Sequence, residues 1–203
     1  EILIPTLNEE GNIQETINSL KLEGFNNITI IDDNSSDNTV KISKELACNV
    51  IENTTNQRLG FGKSLIKALS LSSSEYCCIF DGDNSFDPKS LDQMINKIND
   101  GSEFVFCSRY MDGNESEDDT IIRKFGNYFF TKIVNILFKI NSTDVLFLYV
   151  LGKRKNFLSL KLVAEDFGIC TEILLKSYIN FKCSEVLSLE RKRKFGKSKV
   201  NAI

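Results

Sequence analysis

The sequence predicts an α/β fold, a mostly parallel sheet flanked by helices on both faces, and three observations predict it. Short apolar runs suited to buried strands recur through the first half of the chain. Each is followed by a longer stretch whose apolar residues return at helical spacing. Three of the runs break at their carboxyl ends into polar or acidic residues, at Asn8-Glu9, Asp32-Asp33 and Asp81-Gly82-Asp83. Strands alternating with helices of this length form right-handed βαβ units. Such a sheet gathers the carboxyl ends of its strands on one edge, where ligands bind.

In order, Ile2 to Ile4 is a short strand ended by Pro5, and Asn8-Glu9-Glu10 gives a cap and an acidic first turn to a helix carrying Ile13, Ile17 and Leu20. Ile28 to Ile31 is a second strand, broken by Asp32-Asp33-Asn34-Ser35, and Thr39 to Leu46 a second helix. Asn49 to Glu52 is a weaker third strand, after which Gly60-Phe61-Gly62-Lys63 opens a helix with Leu65, Ala68 and Leu69 on one face. Tyr76 to Phe80 is the fourth strand; it runs into Asp81-Gly82-Asp83 and a helix starting near Asp87-Pro88, where proline suits the first turn. Glu103 to Cys107 is a fifth strand, Glu172 to Tyr178 is helical, and Cys183 to Leu189 is a late strand.

From Tyr110 the texture changes. Met111 to Asp119 reads as an acidic surface loop. Ile121 to Ile140 is a helical stretch with more large apolar residues (Phe125, Phe129, Ile133, Ile136 and Leu137 among them) than one core stripe requires, punctuated by Arg123, Lys124, Lys132 and Lys139. Two readings fit it: a helix packed between two layers, or an amphipathic helix lying in a bilayer interface. Val145 to Leu151, followed by Lys153-Arg154-Lys155, carries the same ambiguity. The basic run from Arg191 to Lys199 is a solvated end or a contact for an anionic partner.

A chain of 203 residues, 41% hydrophobic and 26% charged, suffices for one sizeable core. Its net charge of −3 excludes the overall basic character of a nucleic-acid binder. No segment approaches the roughly 18 uninterrupted apolar residues of a membrane span. The six cysteines are scattered without Cys-x-x-Cys spacing and read as small buried hydrophobes in a reducing compartment. The sequence opens on Glu1-Ile2-Leu3 with no initiator Met, as an excised domain with a clipped first strand would. It holds no histidine, which removes the commonest general base and transition-metal ligand. Chemistry here rests on carboxylates, basic groups and a metal ion.

Asp81-Gly82-Asp83 is the focal stretch. Two acids separated by glycine can turn toward one point, and hard oxygen ligands suit Mg²⁺ or Mn²⁺ shared with phosphates; taken alone, the same residues are an ordinary turn after a strand. The other acidic strand ends, on the same edge, supply carboxylates able to accept hydrogen bonds from a base or ribose. Neither Gly-x-Gly-x-x-Gly nor a Walker loop is present, so hydride transfer and ATP hydrolysis lack support.

Taken in order, Ile-Pro-Thr-Leu-Asn-Glu (4–9), Ile-Asp-Asp-Asn-Ser-Ser-Asp-Asn-Thr (31–39), Arg-Leu-Gly-Phe-Gly-Lys (58–63), Phe-Asp-Gly-Asp-Asn-Ser-Phe-Asp-Pro (80–88), Cys-Ser-Arg-Tyr (107–110) and the basic end resemble family 2 glycosyltransferases of the GT-A fold, and within them the dolichol-phosphate mannose synthase-like branch. The resemblance implies a single GT-A domain over residues 1–203, with 1–110 as the nucleotide-sugar-binding half and 111–203 as an acceptor-side half with interfacial helices. It implies that Pro5, Leu7 (where the family commonly has Tyr), Glu9, Asp32 or Asp33, Asp81, Gly82 and Asp83 surround the nucleotide sugar, with Asp81 and Asp83 as the Asp-x-Asp pair on the metal. Ser85 stands where the branch often has Gln. Arg109, Arg123, Arg193, Ser198 and Lys199 fall where phosphate-facing groups are expected, and Glu172 matches a carboxylate expected near the transferred sugar, which makes Asp83, Arg109 and Glu172 the expected catalytic residues. From Asp144 to Tyr149 the sequence departs from the branch by being apolar.

The implied activity is inverting transfer of mannose or glucose from a donor such as GDP-mannose or UDP-glucose to a polyprenyl phosphate, at the cytoplasmic face of a membrane, peripherally or anchored by further segments. A phosphate acceptor is already ionised and needs no general base, so positioning and positive charge suffice. Two alternatives stand beside it. Transfer to a saccharide or protein hydroxyl would need a base, for which Glu165-Asp166 resembles the acid pair of other family 2 enzymes, and a non-catalytic nucleotide-sugar-binding domain would need none. No nucleic-acid partner is expected, since no aromatic stacking pattern accompanies the basic end.

Overall fold

The structure, a computed structural model, describes residues 1–111, 121–192 and 195. Among them seven strands form one sheet: β1 (Ile2–Thr6), β2 (Ile28–Asp32), β3 (Asn49–Glu52), β4 (Tyr76–Ile79), β5 (Phe104–Ser108), β6 (Val150–Lys153) and β7 (Cys183–Leu187), in the spatial order β3-β2-β1-β4-β6-β5-β7. The helices are α1 (Ile13–Leu22), α2 (Thr39–Glu45), α3 (Phe61–Leu71), α4 (Ser90–Asn99), α5 (Ile121–Phe138), α6 (Arg154–Ser159) and α7 (Gly168–Asn180). The expected α/β architecture is present. Every neighbouring pair is parallel except those of β6, which runs antiparallel to both β4 and β5.

Alternation along the strands divides the core into two layers. Ile4, Cys78, Val105 and Leu151 face a cluster completed by Ile13, Ile17 and Leu20 of α1 and by Leu91 and Met94 of α4. Leu3, Cys77, Phe104 and Val150 face the other cluster, completed by Leu65, Ala68 and Leu69 of α3 and by Ile169 and Ile173 of α7. Strands covered on both faces read as continuous apolar runs, and burying each such Leu or Ile contributes about 1.5–3 kcal/mol.

The run from Val145 to Leu151 is core apart from exposed Leu146. Its second half enters β6, and Tyr149, Phe147, Phe80 and Phe86 form an aromatic group at centroid distances of 4.6–6.4 Å. Two members of the basic triplet after it, Lys153 and Arg154, are engaged within the fold. Arg154 donates to the terminal carbonyls of α3, Nε to Leu69 O at 2.9 Å and Nη2 to Ser70 O at 3.0 Å, where a cation also suits the helix dipole. Lys153 pairs with Glu75 at 3.2 Å.

Proline belongs at sheet edges, yet Pro5 lies in β1, between β2 and β4. The pairing explains it. Leu3 O accepts from Phe80 N–H, so Pro5, two residues on, turns its missing N–H to the same side, past the last β1–β4 pair at Leu3↔Ile79. There the strands part, and the parting at the carboxyl ends of β1 and β4, where chain order reverses, is the switch-point crevice of an open α/β sheet.

Gly152 marks the tightest packing. A Cβ there would lie 2.5 and 2.6 Å from the ring of Phe104, and that ring is wedged against Phe157 and Phe181 at 4.8 and 5.3 Å. Gly152→Ala is therefore expected to destabilise the fold by about 1–3 kcal/mol through overpacking, read as a lower urea midpoint at unchanged m-value; an unchanged midpoint would show the ring free to move.

Candidate active site

Because β1, β2 and β4 are parallel, the segments following them emerge on one edge, which brings together Pro5, Leu7, Glu9, Asp32, Asp33, Asp81, Gly82 and Asp83. Short hydrogen bonds knit them. Asp33 N–H donates to Thr6 O, and Thr6 Oγ1 to Asp32 Oδ1 at 3.3 Å. Glu9 N–H donates to Thr39 Oγ1 at 2.8 Å, and Glu9 Oε2 accepts from Asn12 Nδ2 at 2.9 Å. Thr16 of α1 donates to Gly82 O at 3.1 Å, and a Cβ on Gly82 would meet Thr6 at 3.2 Å. The glycine thus lets the acidic turn sit against β1.

The two adjacent acids after β2 do different work. Buried Asp33 accepts from Asn53 Nδ2, Leu59 N–H and Gly60 N–H at 2.8, 2.8 and 2.9 Å. It thereby fixes the loop before α3, where Gly60 takes a φ of +89° that favours glycine. Asp32 accepts from Ser35 N–H at 2.9 Å as well as from Thr6. Beside the Asp33-held loop lies an open cleft of about 450 Å³ lined by Thr55, Asn56, Gln57, Arg58, Leu59 and Lys63.

Asp83 is buried, its Oδ1 accepting from Ser85 N–H at 2.9 Å. Next to it Asn84, at a φ of +65°, keeps a buried amide oxygen with no hydrogen-bond partner among the described residues. The backbone of Ser85 ties the turn to the segment after β7, its carbonyl accepting from Arg191 N–H at 2.8 Å. Burial first, and then the charges of Asp81 and Asp166, push the thiol of Cys170 up to about 12. Asp166 Oδ1 accepts from Gly168 N–H at 2.8 Å, which sets this carboxylate at the first turn of α7.

No three His, Cys, Asp or Glu side chains converge on a metal-sized point among the described residues. The residues nonetheless fit the expected Mg²⁺ or Mn²⁺. Two carboxylates and an orphaned amide oxygen are hard donors, and Mg²⁺ commonly rests on one or two carboxylates with water and substrate phosphate completing its shell.

Arg109, at the carboxyl end of β5, is enclosed. Its Nε and Nη2 meet Asp144 at 2.7 and 3.0 Å, its Nη1 meets Glu190 at 3.1 Å, and its plane lies 4.8 Å from the Phe147 ring centroid. Desolvation works to lower its pKa, but the charge of Asp144 and then Glu190 outweighs it and holds the guanidinium above its ordinary value. Arg123 lies on exposed α5. Arg193, Ser198 and Lys199 lie outside the described residues; Arg191 Nη2 donates to Asp87 at 2.7 Å, and Phe195 O accepts from Asn12 at 3.2 Å.

Glu172 faces a loop. Its carboxylate accepts from the N–H groups of Val163 at 3.1 Å and Ala164 at 2.8 Å and from Lys176 Nζ at 2.6 Å. Burial raises its pKa, and the Lys176 bond and the two backbone bonds more than offset this, leaving it below the usual glutamate range. The loop so held packs on the start of α3, with Glu165 O accepting from Gly62 N–H at 2.9 Å, Lys63 pairing with Glu165 at 2.6 Å, and Phe61 stacked on Phe167 at 4.7 Å.

With this geometry in place, a family model described as glycosyl transferase family 2 matches residues 1–159. The chain belongs to that family. This family 2 chain is 29% identical over 196 residues to a UDP-N-acetylglucosamine–dolichyl-phosphate N-acetylglucosaminyltransferase of Methanococcus voltae, covering 86% of the chain and 78% of the relative. It is 29% identical over 130 residues to a dolichol-phosphate mannosyltransferase of Pyrococcus furiosus, covering 61% of the chain and 36% of the relative. These names fall in the branch the sequence resembles. The chain spans only about half the length of other curated relatives. Among solved structures it superposes on glucosyl-3-phosphoglycerate synthase of Mycobacterium tuberculosis in complex with Mn²⁺, UDP and glucosyl-3-phosphoglycerate, with a TM-score of 0.70 at 16% identity, covering 95% of this chain and 72% of that one. That likeness establishes the GT-A fold.

The bonds of Glu172 give a pH-dependent expectation. Its depressed folded-state pKa means that its stabilisation is fully present above the unfolded value of about 4.3 and is lost as pH falls through the folded value. Glu172→Gln is expected to cost about 1–2 kcal/mol at neutral pH, with the two proteins converging in acid, as read by urea denaturation across the carboxylate range. A difference that stays constant with pH would refute the role.

Proposed function

We propose that this transferase moves a hexose from a nucleotide-diphosphate sugar to a polyprenyl phosphate, inverting the anomeric centre. The observation that carries the reading is the Asp81-Gly82-Asp83 turn set at the β1–β4 crevice, with Asp32 and the Asp33-held loop beside it. Pro5, Leu7, Glu9 and Asp32 would line the nucleotide, with Asp33 shaping that wall from behind; the first half of the chain, residues 1–110, is the donor half and the remainder the acceptor half. Asp81 and Asp83 would hold Mg²⁺ or Mn²⁺, which when bound offsets the charge of the diphosphate as it departs. The chain's own residues position the rest. Arg109, clamped by Asp144 and Glu190, keeps the end of β5 and the segment after β7 in place, and Glu172 keeps the Glu165-Asp166 loop against α3. Arg123, Arg193, Ser198 and Lys199 are assigned to the phosphates of donor and acceptor.

The names of the Methanococcus and Pyrococcus relatives support a lipid-phosphate acceptor and hence a site of action at a membrane face, the cytoplasmic one in our reading. The absence of histidine accords with an acceptor that arrives ionised and attacks without a general base. One observation favours a second reading, transfer to a hydroxyl of a small phosphorylated acceptor. Asp166, bonded to Gly168 N–H at the start of α7, is a carboxylate that could serve as a base for an acceptor hydroxyl, and the superposed mycobacterial synthase was solved with such a product.

Incubation with labelled GDP-mannose, UDP-glucose or UDP-N-acetylglucosamine, polyprenyl phosphate and Mg²⁺ or Mn²⁺ is expected to carry label into the lipid phase; label on phosphoglycerate or a saccharide alone would reject the acceptor. Asp83→Ala is expected to lower the rate at least about a hundredfold, the worth of several kcal/mol of charge stabilisation. It should also abolish the metal dependence of donor binding in calorimetry; affinity equal with and without metal in the unaltered protein would sink the ion site.

A further inference from the structure

β7 carries a carboxylate on a side where packing asks for none. Cys183, Glu185 and Leu187 alternate onto the same side of the strand, and Glu185 lies in register beside Phe106 of β5, whose ring belongs to the cluster shared with α7. An apolar side chain would serve there. Instead, four neutral donor groups converge on Glu185: Ser142 Oγ at 2.7 Å and Tyr178 Oη at 2.9 Å on Oε1, Thr143 Oγ1 at 2.6 Å on Oε2, and Thr143 N–H on the two oxygens at 3.0 and 3.1 Å. Burial and then the charge of Glu185 hold the Tyr178 phenol above its ordinary value, so it stays a donor.

The groups so gathered lie immediately before both members of the Arg109–Asp144 pair. On one side, Ser142 Oγ gives its proton to Glu185 and accepts the N–H of Asp144 at 3.3 Å, while Asn135 of α5 holds the Ser142 backbone at 2.8 and 3.1 Å. On the other, Thr143 Oγ1 lies 2.5 Å from the hydroxyl of Ser108, the residue before Arg109, and Ser108 Oγ accepts from Tyr110 N–H at 3.2 Å. A hydroxyl has one proton to give, and an ionised carboxylate only accepts. Thr143 therefore gives its proton to Glu185 and takes that of Ser108, so the carboxylate sets the direction of the whole chain. Asp144 is fully buried and takes its orientation from this backbone.

We infer that Glu185 is a positioning residue for transfer: it fixes the backbone from which Asp144 clamps Arg109, and so places the segment after β7 that Arg109 holds through Glu190. It touches no reacting atom. The role takes the acceptor's identity from the lipid-phosphate reading, but the link to Arg109 stands without it. The donor side is built by β1, β2 and β4, and the nearest of these is separated from β7 by β6 and β5. Loss of Glu185 should therefore be felt by the acceptor and not by the donor.

Glu185→Gln tests this, since the amide keeps the size and turns one acceptor oxygen into a donor facing Thr143. In the isotope-labelled chain followed by NMR, the Arg109 Nε–H, bonded to Asp144 at 2.7 Å, is expected to exchange with water at least about tenfold faster in the variant. Circular dichroism and thermal denaturation verify folding. The kcat/KM for polyprenyl phosphate is expected to fall about tenfold or more, the cost of a misplaced reactant, while nucleotide-sugar affinity by calorimetry stays within about twofold. Thr143→Val, which removes only the hydroxyl, should give a smaller loss and carries both readings if the first variant does not fold. Adding it to Glu185→Gln should cost little more, as coupled partners do. Unchanged Arg109 exchange in the folded variant, donor affinity lost together with acceptor efficiency, or additive losses in the double variant would overturn the role. Label carried only into phosphoglycerate or a saccharide sinks the lipid-phosphate reading alone; the same split, measured with that acceptor, then decides for or against Glu185.

Discussion

The parting of β1 from β4 is the constraint on which the rest depends. Hydrogen bonding between them ends at Leu3 and Ile79 with the one further bond from Phe80 N–H, and Pro5 has no donor with which to continue it. The strands separate, and the space is taken by the Asp81-Gly82-Asp83 turn, seated on Thr6 and tied to α1 through Thr16. A residue with an N–H at position 5 could extend the ladder and close the crevice; a side chain at position 82 would crowd the Thr6 methyl at 3.2 Å and require a small shift between the turn and β1. Two residue choices, each removing something, create the place where chemistry can occur.

Around that crevice, charge is arranged by commitment. Buried carboxylates are costly unless hydrogen-bonded, and buried Asp33 and Asp144, like half-buried Glu172, are each bound by three or more donors. They hold the loop before α3, the end of β5 and the loop before α7, the walls of the carboxyl edge. A guanidinium paired on three nitrogens, as Arg109 is, behaves as part of that frame. Positive charge for a second phosphorylated reactant must then come from cations outside it, such as the basic run after β7.

Much of the fold was legible in the sequence because parallel strands are covered on both faces and helices on one, so the two periods alternate visibly from Ile2 to Cys107. β6 was not. An antiparallel strand inserted between β4 and β5 is buried on both sides and short, so Val145 to Leu151 carries no period to separate strand from helix. The carboxyl-edge acids were legible as a group, since strand direction alone places them. The partition of work between Asp32 and Asp33, and the engagement of Arg109 and Glu172, were not, because each turns on bonds across 8 to 81 residues of sequence. Arg154 shows the same limit: its triplet reads as a basic surface, and only the end of α3 beside it turns it into a cap.

The stretch from Ile121 to Ile140 left two readings open because composition counts apolar residues without saying which side they face. Position settles the side. The small buried stripe of Asn127, Thr131 and Val134 sits by Asp144 and Val145, and Asp144 is the residue that clamps Arg109 at the carboxyl edge. The outer face of α5 therefore backs a helix bonded through Asp144 to Arg109 and the end of β5, so the packing of this helix and the geometry of the sheet's carboxyl edge are coupled.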